Sequence, residues 1–406
     1  MKLRDLCFLT LLRDAMAGTC STEAATLAKS MDWTLENQVL ELAQLHHVFP
    51  LLAQQLLLLN PPDLRRDVLR HWAMETLARQ AMATQALLVL TGALEKAGIP
   101  ALVVKGAVCR SLYPSPDLRP SSDEDILIQP EDLPAAEQVF RSLGYCLQSS
   151  PEDSVQIWYA NPLRVELHCS LCGSMTIAGQ AVQPWFDACF SRSISWNVGE
   201  GTVRTLAQQD HFLYLILHFY KHFLTGGGGI RQLCDICLFA GKQQANLDWS
   251  SLWTELETLS LACLTWNMLD LGIRYLGLDS RAVPKPERIP AADSEDLLQD
   301  ILEAGVFGSS SLERKHSSRI TLQAASAQNR KAGTVRAALF PSASDLQSRY
   351  SYLQKNPWLL PAAWCARCFG YLREGRNLGV RAASAAKIGR QRVALLEKYG
   401  ILNCKI

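Results

Sequence analysis

Two acidic residues in the middle of the chain have the spacing of a metal-binding pair. Asp123 and Asp125 flank Glu124 and lead into the apolar run from Ile126 to Ile128. Because side chains alternate across a strand, Asp123 and Asp125 would face one way and Glu124 the other. Two carboxylates on the same face of a strand repel each other unless a cation lies between them. The pattern therefore indicates a divalent-metal site, the plain alternative being an acidic turn before a helix.

A second acidic strand candidate follows later in the chain. Glu166 and His168 alternate with Val165 and Leu167, so both would lie on one face of a strand. Three converging carboxylates, Glu166 with the two aspartates, could hold the divalent ions that phosphoryl chemistry requires.

Short apolar runs between longer helical stretches must position these carboxylates. Residues 1–98 have helical spacing and include one long helix candidate, which ends at Gly98 and the following Pro100. From residue 208 onward the chain is again typical of helices, with a Pro-rich linker at 279–294. Strands are predicted between these helical stretches, at 101–104, 124–129, 145–148, 155–159 and 163–168. Strands mixed with helices over this length predict a small α/β or α+β domain.

Composition restricts the class of protein. Hydrophobic residues make up 48% and charged residues 19% of 406 residues, which is typical of a globular chain. The net charge of +1 predicts no acidic partner, and the apolar runs are too short for a membrane span. The N-terminus fits an amphipathic helix better than a signal peptide, so we expect a cytoplasmic protein without membrane association. The 13 cysteines are then expected to be free thiols.

At these motifs the chain resembles the "uncharacterised nucleotidyltransferase" family of the polymerase-beta-like nucleotidyltransferase superfamily. The resemblance rests on Lys105-Gly106-Ala107, on Leu118-Arg119-Pro120, on the run from Asp123 to Ile128 and on Val165 to His168. It implies an α+β fold in which a small mixed-sheet nucleotidyltransferase core is flanked by N- and C-terminal helical regions. The corresponding domains would be 1–84, 85–205 and 206–406.

The resemblance also implies a reaction. Asp123, Asp125 and Glu166 would be the catalytic residues and would bind Mg²⁺, with two ions expected. Lys105 and Gly106 would bind the triphosphate of a nucleoside triphosphate, for which ATP is our expectation. A nucleoside monophosphate would pass to a hydroxyl of a peptide, protein, sugar or small-molecule acceptor, and pyrophosphate would leave.

Further residues have more than one interpretation. Arg119 could contact phosphate or fix the loop before Asp123. His218 and His222, four apart on one helix face, could be core histidines, could line the cleft with Lys221 or His222 near phosphate, or could bind zinc. Glu124 stands where the family usually has an apolar residue, and we expect it at a sheet edge in water rather than on a substrate cation.

Two other functions stay open. A basic C-terminal run is compatible with an RNA-modifying nucleotidyltransferase, although a solvated helix face is favoured: Arg373, Arg376, Arg381, Lys387, Arg390, Arg392 and Lys398. The unusual Glu124 is compatible with a catalytically weak, nucleotide-sensing protein. Three Cys-x-x-Cys pairs, which begin at Cys169, Cys234 and Cys365, favour core packing over a zinc site.

Overall fold

A computed structural model gives the fold of most of the chain. It describes residues 1–59, 63–152, 155–171, 185–306, 313–314, 317, 321, 343–346, 350, 352–366 and 382–401. The helices are α1 (Leu3–Ala17), α2 (Thr22–Ser30), α3 (Trp33–Leu45), α4 (Phe49–Leu58), α5 (Asp63–Lys96), α6 (Gly106–Arg110), α7 (Leu133–Ser142), α8 (Cys189–Arg192), α9 (Gln208–Thr225), α10 (Ile230–Lys242), α11 (Trp249–Thr258), α12 (Ala262–Tyr275), α13 (Glu295–Ala304), α14 (Ala343–Leu346), α15 (Tyr352–Lys355) and α16 (Ala382–Lys398). The strands are β1 (Ala101–Val104), β2 (Glu124–Ile128), β3 (Cys146–Glu152), β4 (Val155–Ala160), β5 (Leu163–His168), β6 (Ile194–Val198) and β7 (Gly201–Thr205).

The first five strands form one mixed sheet, so the α+β prediction is confirmed. Their order is β1-β2-β5-β4-β3, and β2 and β5 run parallel while the other neighbours are antiparallel. In the parallel pair, Asp125 lies opposite Glu166 and Glu124 lies opposite Val165. This register brings the two predicted acidic strands side by side.

The sheet separates two hydrophobic cores. Val103, Ile126 and Ile128 face a core formed with α5 and α7, in which Leu87 and Phe140 are fully buried. Because side chains alternate, the other face, with Leu102, Val104 and Leu127, joins a larger helical core. Asp125 and Glu166 belong to this second face, whereas Glu124 belongs to the first.

Both helical regions contribute to the larger core. Helices α1, α3 and α4 pack there with α9 to α13, so the ends of the described chain share one hydrophobic interior. The predicted boundary between residues 84 and 85 falls inside α5, which packs against both α4 and β7. The three-domain division stays a prediction. No helix among the described residues has the length and apolar character needed to cross a membrane.

The hairpin β6–β7 was not predicted from the sequence. Trp196 lies opposite Val203, and Val198 lies opposite Gly201 across the turn. The signal was present, since apolar and polar residues alternate from Ile194 to Val198 before the turn at Gly199-Glu200.

Candidate active site

An acidic cluster lies where β2 and β5 run side by side. His168 Nε2 is 3.0 Å from Asp125 Oδ1 and 3.9 Å from Glu166 Oε2. One ligand atom from each of these three residues lies within 4.8 Å of the other two. Carboxylate oxygens suit Mg²⁺ or Mn²⁺, and an imidazole nitrogen is a further donor for a transition metal. The donor set therefore fits a divalent cation.

His168 is a candidate site residue to which the sequence analysis gave no role. The signal that could have found it was its position on the same strand face as Glu166. Asp123 precedes β2 and is not part of this three-residue cluster, but it lines one pocket together with Asp125. The predicted triad is thus arranged as Asp125 and Glu166 in the cluster with Asp123 at its edge.

We call the cavity beside the cluster the inner pocket. Its lining residues come from the β1–α6 junction, the loop before β2, and helices α9 and α10: Lys105, Gly106, Arg119, Ser121, Asp123, Asp125, Leu215, His218, Arg231, Gln232 and Asp235. The pocket therefore contains five of the predicted site residues. Asp123 and Asp125 were predicted to bind metal, and Lys105, Gly106 and Arg119 were the candidates for phosphate contact.

Lys105 reaches into the cluster from a strained backbone position. Its φ of 56° and ψ of −115° are unusual for a residue with a side chain, and such strain concentrates at functional sites. The backbone N–H donates to His211 Nε2 at 3.1 Å, which helps to fix this conformation. The ammonium lies 2.8 Å from Asp125 Oδ2 and 3.0 Å from His218 Nε2.

Charge and burial together set the protonation states. Burial alone would lower the pKa of Lys105, but Asp125, Tyr214 and Asp123 outweigh it and raise that pKa above its ordinary value. Burial alone would raise the pKa of Asp125, but Lys105 and His168 hold it below its ordinary value. Burial and then the charges of Asp125 and Asp123 raise the pKa of Glu166. Glu166 is therefore the carboxylate of the cluster that takes up a proton most readily.

Three histidines of α9 lie near Lys105, and of these His218 lines the inner pocket. Burial and the Lys105 charge lower the pKa of His211 and of His222 to about 3, and that of His218 well below its ordinary value. His218 Nε2 and His222 Nε2 are 3.1 Å apart. Neutral imidazoles can accept hydrogen bonds from Lys105 without adding charge. No zinc-like cluster contains this pair among the described residues.

The remaining predicted phosphate contacts differ in their surroundings. Arg119 is buried, and its Nε donates to Asp235 Oδ1 at 3.1 Å while Nη2 donates to Asp235 Oδ2. This pairing favours the second interpretation of Arg119, in which it fixes the loop before Asp123. Lys221 is exposed on α9 and His222 contacts His218, but neither lines the inner pocket.

Glu124 corrects an expectation, because it is not at a sheet edge in water. The residue is only 1% exposed and faces the core between the sheet and α5. Its Oε2 accepts from Ala107 N at 2.7 Å, and its Oε1 accepts from Arg110 Nη1 at 2.9 Å. A Cβ atom at Gly106 would lie 1.9 Å from Glu124 Oε2, so this carboxylate explains the glycine at position 106. The physical reason is that Arg110, itself 1% exposed, supplies a buried counter-charge.

The C-terminal basic run is not one solvated face. Arg392 is 1% exposed and lies 3.7 Å from Asp300, and Lys398 pairs with Asp293 and Asp296. Arg373, Arg376 and Arg381 lie outside the described residues.

The Cys-x-x-Cys interpretation is confirmed where the structure describes it. Cys234 and Cys237 are buried free thiols in α10, as core packing predicts. The second cysteines of the other two pairs, Cys172 and Cys368, lie outside the described residues.

The site thus combines a mixed sheet, an acidic cluster on adjacent parallel strands and a lysine–glycine turn before a helix. The sequence model of the family described as "Uncharacterised nucleotidyltransferase" matches residues 30–277, which is more than half of the chain. The chain belongs to this family and is a nucleotidyltransferase. Comparison with curated proteins and with solved structures gave no match.

Proposed function

We propose that the protein transfers a nucleoside monophosphate from a nucleoside triphosphate, with ATP as the expected donor, to a hydroxyl group of a peptide, protein or small-molecule acceptor. Pyrophosphate is the second product. The observation that carries the proposal is the convergence of Asp125, Glu166 and His168 beside the ammonium of Lys105, in a chain of the nucleotidyltransferase family.

Asp123, Asp125 and Glu166 are proposed to hold Mg²⁺ through their carboxylate oxygens, and His168 Nε2 lies 3.0 Å from Asp125 Oδ1. Two bound ions would neutralise negative charge at the α-phosphate and on the departing pyrophosphate. Lys105 and the backbone at Gly106 bind the triphosphate, because an ammonium and the N–H groups of a turn both attract phosphate oxygens.

Glu166 is proposed to accept the proton of the acceptor hydroxyl. The support for this role is its place in the cluster, beside His168 and opposite Asp125 on the neighbouring strand. Asp125, whose pKa is lowered, stays ionised and serves as a ligand instead. Arg119 is proposed to keep the loop before Asp123 in place through Asp235, and Lys221 and His222 of α9 are proposed as further phosphate contacts.

The test is pyrophosphate release from ATP and Mg²⁺ over a panel of hydroxyl acceptors. Asp125→Asn should lower the rate at least about 100-fold, since one metal-holding charge is lost. Glu131→Gln is the matched control, because Glu131 is an exposed carboxylate just after β2. Equal rates for the wild type and Asp125→Asn would contradict the proposal.

A further inference from the structure

A second cavity lies on the other side of Asp123. We call it the basic pocket, and its cavity has a volume of about 290 Å³. This volume is close to the lower end of the range of small-molecule sites. Its walls come from the α3–α4 turn, α5, the loop before β2, the β4–β5 turn and α10: His47, Arg79, Gln80, Ala83, 120–124, 162–164 and Arg231.

Three arginines give this pocket its charge. Arg79 is exposed on α5 and makes no ion pair with the described residues, and Arg164 is half-exposed at the start of β5. Arg231 is buried, and burial followed by the charge of Arg119 lowers its pKa to about 10. Of the two acidic lining residues, Glu124 pairs with Arg110, which leaves Asp123 as the other carboxylate in the lining. Arg231 Nη1 also donates to Pro120 O at 2.6 Å.

Arg164 has unused hydrogen-bonding capacity. Its Nε is buried and has no hydrogen-bond partner among the described residues. Its nearest carboxylate contact is long, with 3.6 Å between Nη2 and Glu166 Oε1. Arg164 lines the pocket and its side chain is 40% exposed, so its guanidinium is suited to an oxyanion there.

The position of the basic pocket relates it to the reaction. It shares Ser121, Asp123 and Arg231 with the inner pocket, so the two cavities meet at Asp123. Arg164 is two residues before Glu166 on the same strand face, which places an anion bound there next to the proposed base.

We infer that the basic pocket holds an anionic group of the acceptor, so that the acceptor is a small hydroxyl compound that also carries a phosphate or a carboxylate. This inference rests on the proposed function for the role of acceptor, but anion binding itself does not. Arg79, Arg164 and Arg231 bind the anion, and the hydroxyl is directed toward Glu166.

The experiment measures anion binding directly, at constant ionic strength and without Mg²⁺. The probes are inorganic phosphate and acetate, followed by calorimetry, which separates the phosphate and carboxylate alternatives. In the double variant Arg79→Gln/Arg164→Gln, affinity for the preferred anion should fall about tenfold or more, as expected for lost charge-assisted hydrogen bonds. The control Arg141→Gln removes an arginine that is 59% exposed on α7 and should change nothing.

Two further measurements make the result decisive. Lys105→Gln should leave phosphate affinity unchanged, and saturating phosphate should leave the affinity for Mg²⁺–ATP within about twofold, because the two ligands occupy different pockets. Loss of phosphate binding in Lys105→Gln but not in the arginine double variant, or competition between phosphate and ATP, would overturn the inference. Binding of single-stranded RNA alone, with no binding of either small anion, would also overturn it.

Failure of the proposed function gives a different result. If the wild type binds phosphate through the arginines but does not bind Mg²⁺–ATP, nucleotidyl transfer is contradicted. The basic pocket is then an anion site, but its role in binding the acceptor is contradicted too. If Mg²⁺–ATP binds and pyrophosphate release depends on Asp125, while neither anion binds, only the inference about the acceptor is contradicted.

Discussion

Glu124 should be a determinant of stability rather than of catalysis. Replacing it by alanine leaves the Arg110 guanidinium, which is 1% exposed, with only the neutral acceptors Gln80 Oε1 at 2.8 Å and Thr84 Oγ1 at 3.1 Å. Breaking a buried ion pair by removing one partner costs about 3–5 kcal/mol. We therefore expect Glu124→Ala to lower the free energy of unfolding by about that amount.

Urea unfolding measures this change. Glu137→Ala is the matched control, since Glu137 pairs with Arg141 at 2.9 Å on the exposed side of α7. An exposed pair of this kind contributes less than about 1 kcal/mol. A loss below about 1 kcal/mol in Glu124→Ala, together with lost nucleotide turnover, would refute the structural role.

Gly106 supplies a second part of the same test. In the wild type, Gly106→Ala places its Cβ 1.9 Å from Glu124 Oε2 and should cost about 1–3 kcal/mol through overpacking. In the Glu124→Ala background this carboxylate is absent, so the same substitution should cost much less. A double-mutant cycle should therefore give a coupling free energy of about 1 kcal/mol or more. Additive effects would show that the glycine is required for another reason.

Three further outcomes follow from the buried charges. Lys105→Met should destabilise the protein by about 3 kcal/mol without Mg²⁺, because the acidic cluster loses its counter-charge, and added Mg²⁺ should restore more thermal stability to the variant than to the wild type; equal shifts would contradict this. His46 is fully buried, and burial lowers its pKa to about 4. Between pH 6.5 and pH 4 the imidazole is therefore protonated in the unfolded chain but neutral in the folded state. Stability should fall from pH 6.5 to about pH 4, with His46 contributing about 3 kcal/mol, and His46→Gln should lose that part of the pH dependence in urea unfolding. Asp235→Asn should lower the free energy of unfolding by about 3 kcal/mol because Arg119 loses its buried partner, whereas an unchanged value would place that arginine on a ligand instead.

Local patterns were enough to predict the sheet and its acidic residues. The predicted strands correspond to β1–β5 within a few residues, because short apolar runs bounded by polar turns have few other solutions. Alternation placed Asp125 on one face and Glu124 on the other, and it also placed Glu166 beside His168. The parallel pairing that brings Asp125 opposite Glu166 was not predicted, since no local pattern specifies which strands become neighbours.

What could not be predicted depends on contacts between distant segments. The buried position of Glu124 results from Arg110 and from α5, which packs over that face of the sheet. The link between Arg119 and Asp235 joins residues more than a hundred positions apart. Likewise, the basic pocket gathers His47, Arg79 and Arg164 from three separate elements, so no single motif contains it.

The central claim is transfer of the α-phosphate group with its nucleoside, and the position of a label tests it most directly. The protein is incubated with Mg²⁺, a hydroxyl acceptor and ATP labelled either at the α- or at the γ-phosphorus. We expect the α-label to appear on the acceptor and the γ-label to leave in pyrophosphate. In Asp125→Asn we expect a folded protein that neither labels the acceptor nor releases pyrophosphate. Appearance of the γ-label on the acceptor, or α-label transfer that persists in Asp125→Asn, would contradict it.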